Sequence, residues 1–406
     1  MKRILIFSLT YHPYIGGAEV AIKEITDRIN PAEYSFDMIT LRFDRNLPAV
    51  EQVGNIMVHR IGFTADSPHI SDRRMPLQCK IAKILFPFTS FLKAVSLNRK
   101  NKYDMIWAMM ANYAAFGALA FKYTHPHTPY LLELQDGNSL EQVKERQPVL
   151  ALMWPLYRRL YLKADVIKAI SRFIEKLTRE VGYAGDVVVI PNAVDTTKFS
   201  AQVAQEKLEE LKKRFDKGPD DIFLFTASRL VLSRGVEDVI RSLKFLPLNI
   251  KFLVAGDGQD RAKLEEIALK EGVRDRVIFA GHVGHADLPA YFKVSDIFVR
   301  PSIIEGFGNA FVEAFAAGIP VVATPVGGIP DFLFDPIQNP DHKPTGIFCQ
   351  VRDPESIAHA VQQYIDNPQL TGQIVANARA LAIKQYDWDI ITPAVEREIF
   401  AQYTEK

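Results

Sequence analysis

The sequence predicts an α/β protein of two domains, each built on a parallel sheet that helices cover on both faces. Two observations lead to this prediction. Short apolar or β-branched runs alternate with helical patterns, and the runs are almost continuously apolar, as expected for strands buried on both faces of a sheet. The chain also has 406 residues, which suits two domains of about 100–200 residues each.

The first series of predicted strands begins at the amino terminus. It comprises residues 3–7, 35–40, 55–60, 105–108, 130–133, 166–169 and 187–190. A basic start followed by the apolar residues 4–9 has some likeness to a signal peptide. The run is short, however, and no small-residue cleavage site follows it. We therefore predict that it is the first buried strand.

A second series of strands follows a weakly apolar stretch. It comprises residues 223–227, 251–255, 276–280, 297–300, 320–324 and 346–349. We predict a first domain at 1–195, a linker at 196–220 and a second domain at 221–375. The linker contains a charged helix-like run at 205–215 and the turn signal Lys217-Gly218-Pro219. A helical segment at 376–406 is expected to pack back on the first domain.

The overall composition excludes several classes of protein. With 49 Lys and Arg against 48 Asp and Glu, nothing favours nucleic acid as a partner. Cys79 and Cys349 have neither metal-binding nor disulfide spacing, which fits a reducing compartment. No apolar stretch approaches the roughly 18 residues of a membrane span. We predict a cytoplasmic protein, soluble or peripheral on the inner face of the membrane.

Charge divides unevenly along the chain. Residues 1–195 carry a net +6 and residues 196–406 a net −5. The basic excess is concentrated at 73–102, which has eight Lys and Arg, no Asp or Glu, and many interspersed apolar residues. One interpretation is an anionic membrane surface as partner. The other, which we favour from the sequence, is a buried core helix with a solvated basic edge, because Pro87 should interrupt the helix and the apolar face is broad.

The segment 299–331 carries the clearest chemical signal. A strand end leads through Gly306-Phe307-Gly308 into a helix at about 309–317. Glycines let the backbone approach a ligand, and the free N–H groups of a helix start can hold a diphosphate. Glu305 and Glu313 lie at the two ends of this loop-to-helix turn, where carboxylates would bind hydroxyl groups. The combination suits a sugar nucleotide.

These features resemble the retaining glycosyltransferases of family 4, whose E-x7-E signature corresponds here to Glu305 and Glu313. Further matches extend over nearly the whole chain. They are Pro13-Tyr14-Ile15-Gly16-Gly17-Ala18-Glu19, Ile190-Pro191-Asn192-Ala193-Val194-Asp195 with Phe199, Ser228-Arg229-Leu230, Arg234-Gly235, Gly256-Asp257-Gly258 and Gly281-His282-Val283. The resemblance implies the GT-B fold, two facing Rossmann-like domains with a deep cleft between them.

The resemblance also implies an activity. A retaining hexosyltransferase of this kind moves a sugar from a UDP- or GDP-sugar to a hydroxyl of a glycan or lipid-linked acceptor, in polysaccharide or glycolipid synthesis. We expect no cofactor and no metal, because no Asp-x-Asp motif lies near a predicted site segment and arginines can meet the phosphate charge.

Site residues follow from the same comparison. Arg229 and Arg234 would hold the diphosphate, Glu305 the sugar hydroxyls and Glu313 the ribose, which makes Arg229, Arg234 and Glu305 the predicted catalytic residues. The predicted donor-binding residues are Gly17, Gly256, Asp257, His282, Val283, Gly306, Phe307, Gly308, Asn309 and Glu313. The predicted sugar or acceptor contacts are Gly16, Gln135, Asp136 and Asn192.

Two positions depart from the family pattern. Arg234 stands where Lys is usual, so the charge is kept but the donor geometry changes. Gln135 stands where a sugar-contacting His is usual, which leaves hydrogen bonding but no proton transfer near neutral pH. Two alternatives stay open. Both departures favour a non-catalytic sugar-nucleotide-binding partner subunit. A sugar-nucleotide epimerase of the same fold is the other alternative, against which Gln135 argues because it cannot transfer a proton.

Overall fold

The computed structural model describes residues 1–14, 16–66, 68, 75–146 and 152–404. The chain divides into two compact units, Met1–Asn192 with Trp388–Lys406 and Ala193–Asp387. Each unit has a parallel or almost entirely parallel sheet with helices along the connections. The predicted fold class, α/β with two Rossmann-like domains, is confirmed.

The first unit contains an eight-stranded sheet. Its strands are β1 (Lys2–Phe7), β2 (Tyr34–Leu41), β3 (Val50–Val53), β4 (Ile56–Ile61), β5 (Met105–Met109), β6 (Tyr130–Leu134), β7 (Val166–Ala169) and β8 (Asp186–Val189). They lie in the order β3-β4-β2-β1-β5-β6-β7-β8. Only β3 is antiparallel to its neighbour. The sequence analysis missed it because this short, half-exposed edge strand lacks an apolar run.

Helices of the first unit follow most of its strands. They are Gly17–Arg28, Leu77–Asn101, Tyr113–Thr124, Leu140–Arg146, Trp154–Leu162 and Arg172–Glu180. The end of the chain adds Trp388–Val395, a π-helical turn at Glu396–Phe400 and Ala401–Thr404. The Phe400 ring lies 5.6 Å from that of Trp107 in β5, so this last segment covers part of the first sheet.

The helix Leu77–Asn101, here called the Leu77 helix, differs from the prediction. It continues through Pro87 for 25 residues, although proline removes one backbone donor from a helix interior. Packing of Phe86, Ser90 and Ala94 in the core supports the helix across this site. Residues 73–74, which belong to the predicted basic segment, lie outside the described residues.

The second unit contains a six-stranded parallel sheet. Its strands are β9 (Ile222–Ala227), β10 (Ile250–Ala255), β11 (Val277–Gly281), β12 (Ile297–Arg300), β13 (Val321–Ala323) and β14 (Ile347–Phe348). Their order is β11-β10-β9-β12-β13-β14. This is the strand order of the Rossmann fold, in which the chain reverses its direction of winding between β9 and β12. Ligands of such sheets bind beyond the carboxyl ends of the strands at that reversal.

Helices of the second unit include two within residues 196–220. Its helices are Thr196–Ser200, Gln205–Arg214, Val236–Ser242, Arg261–Lys270, Leu288–Val294, Asn309–Ala317, Pro354–Asp366 and Pro368–Gln385. The stretch expected as a linker is therefore folded into this unit. Phe199 is buried there against Phe292, with ring centroids 5.7 Å apart, and Lys217 binds the Val294 carbonyl over 2.8 Å.

Candidate functional site

The candidate site lies at the carboxyl ends of β9 and β12, where the second sheet reverses its winding. The loop after β9 carries Arg229 and Arg234, and the loop after β12 carries Glu305. A backbone hydrogen bond of 2.9 Å from the Ile303 N–H to the Ser233 carbonyl joins the two loops. The order of the strands thus brings together residues about 70 positions apart in sequence.

Glu305 is a buried carboxylate with two arginine partners. Its Oε2 accepts hydrogen bonds from Arg234 Nη1 at 2.7 Å and from Arg300 Nη2 at 2.6 Å. Ser302 Oγ lies 3.4 Å from the same oxygen. No hydrogen bond is recorded to the other oxygen, Oε1, within the described part of the chain. One side of the carboxylate is therefore anchored, and the other can meet a ligand.

Arg300 is a site residue that the sequence analysis did not single out. It is the last residue of β12 and is almost completely buried, with its guanidinium 4.3 Å above the centre of the Phe311 ring. Burial lowers the pKa of this guanidinium, whereas the neighbouring Glu305 carboxylate raises it. An arginine that closes an otherwise apolar strand, five residues before Glu305, was the sequence signal that could have identified it.

The loop before the helix Asn309–Ala317, here called the Asn309 helix, depends on Gly308. Gly308 has φ +98°, and a Cβ there would lie 2.5 Å from the Phe311 ring and 3.1 Å from Arg300 Nη2. Within the described residues no side chain caps the helix start, and the positive end of a helix favours an anion. Gly306 is buried, and Phe307 packs its ring 5.1 Å from Phe332, which leaves its main chain for any ligand contact.

Arg234 is held in position by its own loop. It ends the 3₁₀ turn Leu232–Arg234, and its Nη1 also donates to the Ile304 carbonyl at 3.0 Å. Gly235 follows with φ +71°, and a Cβ there would lie 2.0 Å from the Pro301 carbonyl oxygen. The loop can approach β12 this closely only because residue 235 has no side chain.

Arg229 lies in the same loop as Arg234, and the loop after β10 packs closely against that loop. Arg229 is exposed, and its side chain has no hydrogen bond or ion pair among the described residues. Gly256 has φ +142°, and a Cβ there would lie 1.9 Å from the Ser228 carbonyl oxygen. Asp257 is exposed, and its Oδ1 accepts from the Gly258 N–H at 2.7 Å. Close approach of two backbones therefore explains Gly256, while Asp257 forms a turn.

A second set of hydrogen-bonded side chains holds Glu313. It lies in the second turn of the Asn309 helix and is largely buried. His285 Nε2 lies 3.3 Å from Glu313 Oε1, and Lys198 Nζ lies 2.9 Å from His285 Nδ1. A charged Lys can only donate, so Nδ1 accepts and Nε2 carries the proton that is donated to Glu313. The sequence analysis named His282 in this loop and missed His285.

The predicted residues after β11 show no comparable network. Gly281 has φ +79° at the strand end. His282 is exposed and has no recorded partner in the described part of the chain, and Val283 is half-buried. The main-chain N–H and C=O groups of these residues are therefore the candidates for contact with a nucleotide base.

In the first unit, Gln135 and Asn192 form a reciprocal amide pair. Asn192 Nδ2 donates to Gln135 Oε1 at 3.0 Å, and Gln135 Nε2 lies 3.3 Å from Asn192 Oδ1. Gln135 Nε2 also donates to Glu133 Oε1 at 2.7 Å. That carboxylate is fully buried against Lys168 Nζ, again at 2.7 Å. The amide of Gln135 is thus held in place by Glu133 and Asn192.

The remaining predicted residues of the first unit lie on two loops. Gly16 and Gly17 are exposed at the start of the helix Gly17–Arg28, directly after the β1 loop, and no side chain caps that helix. Asp136 is exposed, and its Oδ1 accepts from the Asn138 N–H at 3.1 Å. Asp136 therefore shapes the turn after β6.

Two kinds of feature are absent from the described residues. No group of three His, Cys, Asp or Glu side chains in those residues is arranged to hold a metal ion. Within the same residues, none of the helices combines the length and apolar character needed to cross a bilayer.

Family models match both units in succession. The model Glycosyltransferase Family 4 matches residues 15–198, and Glycosyl transferases group 1 matches residues 207–381. The chain belongs to glycosyltransferase family 4. The resemblance predicted from the sequence is confirmed.

Relatives of this family 4 glycosyltransferase include an uncharacterized glycosyltransferase of Methanocaldococcus jannaschii. The two are 26% identical over 395 residues, which are 96% of this chain and 95% of the relative. A GDP-mannose-dependent α-(1-6)-phosphatidylinositol monomannoside mannosyltransferase of Mycobacterium tuberculosis is 28% identical over 247 residues, 58% of this chain and 61% of the relative. HepE of Anabaena, solved with UDP-glucose, has a TM-score of 0.76 at 20% identity, with 99% and 100% of the two chains covered. That likeness shows a shared fold.

Proposed function

We propose that this glycosyltransferase transfers a hexose from a UDP- or GDP-sugar to an acceptor hydroxyl with retention of anomeric configuration. The observation that carries the proposal is the convergence of Arg234 and Arg300 on Glu305, beside the uncapped start of the Asn309 helix. Two cations and one carboxylate leave a net positive charge where phosphate would bind.

The donor phosphates would interact with groups that the protein leaves uncompensated. Arg229 is exposed, and Arg234 uses only Nη1 for Glu305 and Ile304. Nε and Nη2 of Arg234 bind nothing among the described residues and would face phosphate oxygens, beside the positive end of the Asn309 helix. These groups would stabilise the charge that develops on the leaving diphosphate.

The sugar and the ribose would each meet a carboxylate held in place by the protein. Glu305 is anchored through Oε2, so Oε1 can accept from sugar hydroxyls. Glu313 is held by His285 through Oε1, so Oε2 can accept from a ribose hydroxyl. A carboxylate that is already held in place loses less conformational entropy on binding than a mobile one. This favours tight binding of the sugar nucleotide.

The proposed reaction exchanges one glycosidic bond for another. The bond from the anomeric carbon to the phosphate oxygen breaks, and the acceptor oxygen bonds to that carbon on the same face. The acceptor proton passes to the departing phosphate oxygen, so the products are a glycoside and a nucleoside diphosphate. The protein contributes positioning and charge stabilisation.

The relatives support the donor and acceptor classes in this proposal. One has UDP-glucose bound in its crystal structure, and another is named for GDP-mannose and a phosphatidylinositol mannoside. A glycan or lipid-linked acceptor is therefore part of the proposal.

Stereochemistry can be tested before the acceptor is known, because glycosyltransferases slowly hydrolyse their donors. We would incubate the protein with α-linked UDP- and GDP-hexoses and follow the freed sugar by ¹H NMR. Retention predicts that the α-anomer forms first, ahead of mutarotation, and β-anomer forming first would overturn it. Conversion of the donor to its epimer without release of nucleotide would support an epimerase. Donor binding without either reaction would support a non-catalytic subunit.

A further inference from the structure

The Leu77 helix of the first unit exposes a stripe of large apolar side chains. Leu77 is 74% exposed, and Ile84 and Phe88 are each 63% exposed. The stripe also includes Ile81, Leu85 and Leu92. The spacing of three, four and seven residues between its members places them on one side of the helix. A face of this composition would normally be expected to point into a core.

The opposite side of the Leu77 helix already has its partner within the unit. Cys79, Phe86 and Ala94 are buried there. The helix Tyr113–Thr124 approaches so closely that a Cβ at Gly117 would lie 2.1 Å from Ser90 Oγ and 3.2 Å from the Pro87 carbonyl oxygen. The helix therefore has two apolar faces, one packed in the core and the other exposed. The sequence interpretation of a core helix with a solvated basic edge accounts for only the first.

The charges along this helix have a single sign. Between Leu77 and Lys102 the chain carries Lys80, Lys83, Lys93, Arg99, Lys100 and Lys102 and no Asp or Glu. A protein partner that covered an apolar stripe would not require this complete absence of acidic residues. An anionic lipid surface would, because each lysine close to it strengthens binding, by about fivefold at ordinary salt, and each carboxylate would be repelled.

We propose that the Leu77 helix docks this protein on an anionic membrane surface, with the exposed stripe buried among the upper acyl chains and the lysines at the headgroups. The helix has 25 residues, about 37 Å of length at 1.5 Å per residue, and would lie in the plane of the interface. Elsewhere in the described residues, large exposed apolar side chains occur singly, such as Leu269, or two close together in sequence, such as Phe245 and Leu248, as on most soluble proteins. The docking does not depend on the donor chemistry proposed above.

The experiment is flotation of the full-length protein with vesicles of phosphatidylcholine alone or with added phosphatidylglycerol. The stripe variant is Ile84→Glu/Phe88→Glu, and the charge variant is Lys80→Glu/Lys93→Glu, which spares the contact of Lys83 with the Tyr113 ring. Leu248→Glu is the matched control, since it places a charge on an apolar side chain that is 83% exposed in the second unit. Circular dichroism checks that each variant is folded.

We expect the wild type and Leu248→Glu to float with anionic vesicles and to be released by salt. The stripe variant should bind at least tenfold more weakly. The charge variant should bind more than about 25-fold more weakly, because it loses two lysines and gains two repelled carboxylates. Equal flotation of the wild type and the stripe variant would overturn the proposal, as would no flotation of the wild type. A dimer seen by light scattering in the wild type and abolished in the stripe variant, without vesicle binding, would instead assign the stripe to self-association. If the Glu variants unfold, Ile84→Ser/Phe88→Ser repeats the comparison.

Discussion

Arg300 Nη2 lies 2.6 Å from Glu305 Oε2, so the carboxylate at the centre of the candidate site is anchored by a buried cation from the end of β12. Arg234, from the loop after β9, binds the same oxygen. One arginine therefore belongs to the core and the other faces the site. This division assigns Arg300 to positioning Glu305 and leaves Arg234 able to contact the donor.

Arg300→Met should destabilise the second unit and reduce donor turnover. Removing one partner of a buried ion pair typically costs about 3–5 kcal/mol. Glu305 keeps Arg234 as a partner, so we expect a loss at the low end of that range. Turnover should fall by about 100-fold, the order expected when a positioned group in an active site is lost. Urea unfolding and nucleotide release measure the two effects. Arg397→Met, at an arginine that is 70% exposed, is the control and should change neither.

Gly235→Ala should be far more harmful than Gly272→Ala. Both glycines have φ +71°, so the backbone strain of the substitution is matched, at about 1–2 kcal/mol. A Cβ at Gly272 meets nothing within 4 Å, whereas one at Gly235 would lie 2.0 Å from the Pro301 carbonyl oxygen. We expect the alanine at 235 to push the Arg234 loop away from β12 and to abolish most donor turnover. Similar unfolding midpoints and activities for the two variants would contradict this account of the loop.

His285→Ala should raise the KM for the donor by about three- to tenfold, the effect of losing one hydrogen bond of about 1 kcal/mol, with little change in kcat. The imidazole binds Glu313 Oε1, which leaves Oε2 for the ribose in the proposed function. His359→Ala is the control, because His359 is exposed on the helix Pro354–Asp366 and hydrogen-bonds only Gln363 among the described residues. A fall in kcat with unchanged KM would assign His285 another role.

The buried pair of Glu133 and Lys168 should behave as a coupled unit in the first sheet. Lys168→Met leaves a buried carboxylate with one amide partner and should cost about 3–5 kcal/mol, as should Glu133→Gln. The double variant should be more stable than the two losses summed, since no buried charge remains. A double-mutant cycle by urea unfolding measures the coupling. The exposed pair of Lys207 and Glu210 is the reference and should couple by less than about 1 kcal/mol. Additive losses at Glu133 and Lys168 would contradict the pairing.

Most of the fold could be predicted from the sequence because its strands are apolar runs. β7 and β12 have the predicted limits, and the Asn309 helix begins and ends at the predicted residues. Gly318 with φ +76° ends that helix. The exposed face of the Leu77 helix was harder to predict, because a helix that is apolar on two sides gives no sequence signal for which side is buried.

The site could be predicted only where its residues share one segment. Glu305, Gly308 and Glu313 lie within nine consecutive residues and formed a recognisable pattern. Arg300 and His285 act through contacts across loops, which depend on strand order rather than on local spacing. The partners that hold Gln135, Glu133 and Asn192, could not be predicted, because they come from a buried strand and from a residue 57 positions away.

The most direct test of the central claim is nucleotide release from a panel of UDP-, GDP- and ADP-sugars in the presence of EDTA, for the wild type and Glu305→Gln. The variant keeps the shape of the side chain and its hydrogen-bond acceptor but removes the charge that Arg234 and Arg300 share. The account predicts release from one class of donor, reduced about 100-fold in the variant. Equal release by both proteins, or tight donor binding by the wild type without any release, would contradict it.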